Sequence, residues 1–153
     1  MAELPTGTVT LLFTDIEGST RLLRRAGDAY AGLLSQHRAL LEEAFLAHGG
    51  VVVDAEGDAF FVAFASAKDA VAAAGDAQRA LVSHDWLDEN EIRVRMGLHT
   101  GEPRVVEGRY VGIDVHHAAR VMGWATAGRC CSRRRPGRCS TTTPISATSA
   151  ITG

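Results

Sequence analysis

Long apolar runs are missing from this 153-residue chain: the longest, such as Val9 to Phe13 and Val51 to Val53, fall far short of the roughly 20 residues that span a bilayer. No membrane span is therefore expected. Met1 to Thr6 carries neither a basic start nor a long apolar stretch, so no secretory signal is read there and a cytoplasmic location is expected. Neither GxxxxGK[ST] nor GxGxxG occurs, which leaves a P-loop and a dinucleotide fold without support. Cysteine is absent before Cys130, and the three present, Cys130, Cys131 and Cys139, are odd in number with two adjacent. That spacing suits neither a disulfide framework nor a zinc site.

Acid is missing from one end. Residues 129–153 hold five arginines and no Asp or Glu, whereas residues 1–128 hold all 18 acids against 11 Lys+Arg, a local balance of 11 − 18 = −7. The overall charge of −2 describes neither part. Apolar residues at 46% and charged residues at 22% are ordinary for a folded soluble chain of one domain.

What is present reads as alternating elements. Thr8 to Thr14 is a β-rich run that gives way to turn and capping residues at Asp15 to Thr20. From Leu22 to Phe45 apolar residues recur at helical spacing, with residue 37 in phase, and Gly27-Asp28 splits the helix with Asp28 as N-cap of the longer piece. Val51 to Asp54 and Ala59 to Ala65 flank a Gly57-Asp58 hairpin corner. Ser66 caps an Ala-rich helix to about His84, with Val71, Ala74, Ala77, Leu81 and Val82 inward. Strands at Ile92 to Thr100 and Arg104 to Val106 precede a helix from Val111 to Met122. The order predicts an α+β, ferredoxin-like βαββαβ sheet, mostly antiparallel, with helices packed on one face.

Asp15 lies where a strand meets a helix, beside backbone N–H groups able to hold a phosphate, and Asp58 lies in a hairpin corner. If the two ends converge, two hard carboxylates make a site for Mg²⁺ or Mn²⁺ carrying a nucleoside triphosphate. On spacing alone the plainer reading stands beside it, with Asp15 capping a helix and Asp58 making a turn.

Four ordered blocks, Phe13 to Thr20 (FTDIEGST), Glu56 to Phe61 (EGDAFF), Arg95 to Glu102 (RMGLHTGE) and Tyr110 to Val121 (YVGIDVHHAARV), resemble the signatures of the class III nucleotidyl cyclase catalytic domain. The similarity runs from about Gly7 to Met122. It implies a dimer, homodimeric or paired with another cyclase domain, whose sites lie at the interface and bind ATP or GTP with two Mg²⁺ or Mn²⁺ ions. Asp15 and Asp58 match the metal-binding aspartates, with Ile16 beside them; Ile16, Glu17, Gly18, Ser19 and Thr20 form the phosphate-holding segment. Arg120 matches the arginine that a partner chain supplies to the transition state, and its plainer alternative is a solvated helix arginine.

His116 stands where the family usually has a transition-state asparagine; imidazole can donate one hydrogen bond there, or pack at the interface. The positions that commonly read the base hold Asp54 and Arg109, where adenylyl cyclases carry a lysine and an acidic or hydroxyl residue. That reversal leaves open guanine recognition, relaxed specificity, or an Asp54–Arg109 ion pair that reads no base. These departures set a second reading beside the enzyme: a degenerate, non-catalytic module that binds nucleotide or regulates a partner domain.

The match stops at Met122, so residues 1–122 read as a partial cyclase domain, incomplete at its C-terminal side, and residues 123–153 as a separate basic, Ser/Thr-rich tail. A polybasic nucleic-acid arm is disfavoured there because its arginines lack aromatic stacking partners, and no nucleic-acid partner is expected. Re-read in a frame displaced by two bases, the tail becomes apolar at Cys130 and Cys131 and regains a glycine turn, a strand and a helix. A frame break near Met122 is the expectation.

Overall fold

The computed structural model describes residues 3–87, 90–124, 130–133 and 140–141. Strand β1 (Val9–Ile16) is its axis. It pairs antiparallel with β3 (Ala59–Phe64) on one side and with β4 (Val94–Gly101) on the other. The hairpin partner β2 (Val51–Glu56) lies outside β3, and the sheet runs β2-β3-β1-β4-β7-β8. Val9, Leu11 and Leu12 are wholly buried, as a central strand covered on both faces requires.

Alternation along β1 divides the interior. Leu12 and Ile16 join Phe45, Phe60, Val62, Phe64, Leu81, Met96 and Leu98 in the larger core. Val9 and Leu11 join Ala63, Tyr110 and Ala118 in a smaller one on the opposite face. The larger core is roofed by α2 (Tyr30–Ala47) and α3 (Ala67–Ser83). Helix α4 (Ile113–Trp124), which supplies Ala118 and Val115, packs on the other face. The expected helical layer is thus α2 and α3, and α4 adds a second, partial layer across the sheet.

Local chemistry explains most boundaries. Ser66 Oγ accepts from the Asp69 N–H at 3.3 Å and caps α3, whose wholly buried Ala70, Ala73 and Ala77 let the helix lie close to its neighbours. The buried Gln78 amide donates to the Val94 carbonyl at 2.9 Å and ties α3 to the start of β4. Val82, expected inward, is 75% exposed, because the buried stripe runs through Gln78 and Leu81 and the next residue turns away by a helical step. Asp28 is not the N-cap of α2. It sits in a 3-10 turn, Gly27–Ala29, between α1 (Ser19–Ala26) and α2, where the Tyr30 N–H bonds to the Gly27 carbonyl and no side-chain cap is made.

Beyond Gly101 a separate hairpin forms from β5 (Arg104–Val106) and β6 (Arg109–Val111). Its turn places both Glu107 (φ 50°) and Gly108 (φ 74°) in left-handed backbone, the geometry that matches strand twist in tight hairpins. A three-residue strand is too short to show alternation, so β6 was not expected, and the helix expected from Val111 begins at Ile113. Of residues 123–153, the described part includes β7 (Cys130–Arg133), parallel to β4, and β8 (Ser140–Thr141), antiparallel to β7. No strand was expected from that polar stretch, but backbone pairing at a sheet edge needs no apolar alternation. The remaining tail calls lie outside the described residues.

One buried group stands out in α2. His37 is wholly buried against Phe60 (ring centroids 6.1 Å), and neither ring nitrogen has a hydrogen-bond partner among the described residues. Burial pushes its pKa down to about 4, against a weaker upward pull from Asp58, with Arg38 adding to the lowering. The fold therefore holds His37 neutral while the unfolded chain takes up a proton near 6.5, so stability is complete above that pH and falls as pH drops toward about 4. The shift corresponds to about 3 kcal/mol at most. Urea denaturation at pH 7.5 and 4.5 should show His37→Leu losing this part of the acid dependence while at least matching the parent's stability at pH 7.5; an unchanged pH difference would contradict a buried neutral imidazole.

Candidate active site

The C-terminal end of β1 gathers charge. Asp15 stands directly opposite Arg95 in the β1–β4 ladder, on the α4 face. Arg95 Nε donates to Asp15 Oδ1 at 2.8 Å and Nη2 to Oδ2 at 2.6 Å, a two-pronged pair with side chains 30% and 23% exposed. The Asp15 hydrogen bonds raise the Arg95 pKa further above its ordinary value, and the fields of Asp15, Glu17 and Asp58 add to them. Asp15 thus holds the guanidinium by direct contact, and Glu17 and Asp58 act on it through space.

Asp58 reaches this corner from the other side of β1. Thr14 pairs with Phe60, so the strand end runs alongside the β2–β3 turn that carries Asp58. Gly57 adopts φ 60° in that turn, and its carbonyl accepts Arg38 Nε at 3.2 Å and Nη2 at 2.6 Å. Helix α2 thereby braces the hairpin that holds Asp58. Burial, with the Asp58 charge behind it, holds the Tyr30 phenol above its ordinary pKa.

The chain then turns into α1. Ile16 is buried, and the Glu17 N–H donates to the Arg93 carbonyl at 2.8 Å, so that amide is already committed. Gly18 is the N-cap at φ 66° with no side-chain cap, followed by half-buried Ser19 and exposed Thr20. Beside this turn lies an open cleft of about 520 Å³ lined by Ile16, Glu17, Gly18, Arg21, Arg25 and Arg93 among others. Three arginines and the start of a helix line this cleft together with Glu17 and Glu91; Arg93 pairs with Glu91 at 3.6 Å and Arg25 Nε donates to Asn90 Oδ1 at 2.9 Å, which leaves a modest cationic surplus able to meet phosphate oxygens.

Asp54 lies apart from that corner. A shallower cleft of about 330 Å³ includes Phe13, Asp54, Gly57 and Phe61, and the Phe13 and Phe61 rings stack at 4.3 Å and 14°. Asp54 is exposed and pairs with Phe61, so its carboxylate shares a face with this flat aromatic wall. Arg109 is exposed on β6, and no Asp54–Arg109 ion pair occurs among the described residues. Its neighbour Tyr110 is fixed by a 2.6 Å hydrogen bond to the Pro5 carbonyl and by Phe61 at 6.2 Å, and burial pushes its phenol up to about 12.

His116 and Arg120 are exposed on α4, one turn apart, while Val115 and Ala118 face the sheet. No hydrogen bond or ion pair links either to Asp15 or Asp58 among the described residues. Within one chain, then, Asp15, Ile16, Glu17, Gly18 and Asp58 share one corner, and Arg120 and His116 face outward. Sequence reasoning missed roles for Arg95, Arg93, Arg21 and Arg25. Arg95 lay inside a quoted motif, but only strand register shows that it meets Asp15.

Residues 1–118 match the family described as the adenylate and guanylate cyclase catalytic domain, and the chain belongs to that family. It is 40% identical over 127 residues to an uncharacterized protein of Mycobacterium tuberculosis, covering 82% of this chain and 42% of that protein, so it spans less than half the relative's length. It is also 33% identical over 150 residues to an adenylate cyclase of Lachancea kluyveri, covering 82% of this chain and 8% of that one. Among solved structures, an adenylate cyclase of Trypanosoma brucei in its monomeric state superimposes with a TM-score of 0.78 at 27% identity, covering 86% of this chain and 74% of that one. No helix among the described residues is long and apolar enough to cross a membrane.

The corner fits a hard divalent cation: oxygen donors from Asp15 and Asp58, with Glu17 near, outnumber the single guanidinium that balances them. Mn²⁺ titration followed by electron paramagnetic resonance should show Asp15→Asn and Asp58→Asn each weakening binding at least about tenfold. Arg95→Met should tighten it, because a competing cation is removed; weaker binding in that variant would contradict the competition.

Proposed function

We propose that this chain is a nucleotidyl cyclase catalytic domain, forming a 3′,5′-cyclic nucleotide and pyrophosphate from ATP or GTP in the cytoplasm, at sites shared between two copies or with another cyclase domain. The observation that supports it most is the convergence of Asp15, Asp58 and Arg95 beside an arginine-lined cleft. Asp15 and Asp58, with Ile16 offering only its backbone because its side chain is buried, would hold two Mg²⁺ or Mn²⁺ ions. Such ions lower the pKa of the ribose 3′-hydroxyl and neutralise the triphosphate.

The chain's own groups supply the rest. The uncapped start of α1 and Arg21, Arg25 and Arg93 hold the triphosphate so that its α-phosphorus lies in line with the ribose 3′-oxygen. The 3′-hydroxyl gives its proton to solvent as its oxygen attacks the α-phosphorus, the cyclic phosphodiester closes, and pyrophosphate leaves. Asp54 and the Phe13–Phe61 wall receive the base, and a carboxylate there accepts from guanine N1–H and N2–H₂, with Arg109 as donor to O6. Arg120 and His116 face solvent within one chain, so they reach the reacting atoms only in a site completed by a second copy, where they stabilise charge on the transferring phosphoryl group. In this reading residues 1–122 are the catalytic part and residues 123–153 a tail with no catalytic role.

Two measurements test this. Asp15→Asn and Arg120→Ala chains should each be inactive alone with Mn²⁺. Mixed in equal amounts they should recover up to about a quarter of parental activity, since half the dimers carry one intact site of two; no recovery from mixed, folded chains would argue against shared sites. Asp54→Lys should raise the ratio of ATP to GTP turnover, and an unchanged ratio would rule out base reading by Asp54.

A further inference from the structure

The strongest unassigned cluster lies where the first turn of α4 meets β4. His99 from β4 and Asp114 and His117 from α4 offer ligand atoms that all lie within 4.8 Å of one another. His99 Nε2 is 2.8 Å from Asp114 Oδ1, and the His99 and His117 rings meet edge to face at 5.4 Å. His99 is 6% exposed, and Asp114 and His117 are half-buried. We propose that these three side chains form a site for a borderline transition-metal dication of the Zn²⁺ class, distinct from the carboxylate corner at Asp15.

The donor set sets the metal class. Two imidazoles and one carboxylate select Zn²⁺-like ions over Mg²⁺, which prefers all-oxygen surroundings. Three protein ligands leave the fourth tetrahedral position to water. Zinc–ligand bonds of about 2.0–2.2 Å place tetrahedral donors about 3.4 Å apart, so side-chain rotations of about 1 Å close the site. The ion takes the place of the hydrogen bond between His99 Nε2 and Asp114 Oδ1, and each ligating nitrogen binds without its proton, which is carried on the other ring nitrogen or given to solvent.

The surroundings are built for the carboxylate. The Glu102 N–H donates to Asp114 Oδ2 at 3.2 Å, which orients the carboxylate and leaves Oδ1 toward the imidazoles. Gly101 makes the room: a Cβ there would come within 2.4 Å of the Asp114 carboxylate. A His–Asp hydrogen bond alone would anchor α4, but it leaves unexplained a second imidazole at i+3 from the aspartate, on the same helix side and within ligand reach of both partners. Occupancy would clamp the first turn of α4 to β4, and that helix carries His116 and Arg120.

The test uses the full chain with Cys130→Ser, Cys131→Ser and Cys139→Ser, so that thiolates do not compete for the metal. Co²⁺ should give visible d–d absorption at one ion per chain, Zn²⁺ should displace it, and competition with a chromophoric chelator should give the Zn²⁺ affinity. His117→Ala, and the bulk-preserving His117→Gln, should weaken Zn²⁺ binding at least about 100-fold with unchanged circular dichroism. Zn²⁺ should raise the melting temperature of the parent but not of Asp114→Asn. Asp15→Asn should keep full Zn²⁺ affinity, which separates this site from the cyclase reading. No Co²⁺ spectrum, or equal Zn²⁺ affinity in the parent and both His117 variants, would overturn the proposal.

Discussion

Asp15 faces Arg95 because β1 pairs with β4 in one register, and that same register sets Thr14 against Phe60 on the other side. A slip of one residue would turn Asp15 into the core with Phe60 and Met96, and Leu12 out of it. The apolar alternation of β1 therefore locates the carboxylate: burial of Leu12 and Ile16 on one face and Val9 and Leu11 on the other leaves Asp15 a single place to stand. The packing that stabilises the sheet and the geometry of the site are one constraint.

Electrostatics completes the corner. Arg95 brings one positive charge to a place where Asp15, Glu17 and Asp58 all act on it. The surplus of carboxylate gives the site an appetite for cations, and the arginine keeps the two half-buried strand ends from repelling each other when no cation is bound. Arg38, holding the Gly57 carbonyl, prevents the Asp58 turn from retreating to solvent. Behind the corner the core is held by aromatic contacts, where Phe45 meets Phe60 and Phe64 edge to face at 5.7 and 6.5 Å.

Much of this was legible in the residues. Periodicity located β1, the split after α1, the hairpin at Gly57-Asp58 and the Ser66 cap, because each is a local event with its own chemistry. Non-local facts were not legible. The Arg95–Asp15 pair depends on strand register, the arginine-lined cleft on how α1 folds back toward Arg93, and the side taken by α4 on Ala118 meeting Val9 and Leu11. His37 looked like one more member of a helical stripe. Its burial beside Asp58 and Arg38 is a property of the assembled core.

The proposed function requires Asp15 and Asp58 to form one metal-dependent reaction centre. Phosphorus-31 NMR of the full chain with an excess of ATP or GTP and Mg²⁺ tests it most directly, because it identifies products without a coupled assay. Cyclic phosphodiester and pyrophosphate should appear in equal amounts, and both should be lost in Asp15→Asn and in Asp58→Asn while the protein stays folded. Cyclic product formed at the parental rate by either variant, or nucleotide bound by the folded parent without any turnover, would contradict it.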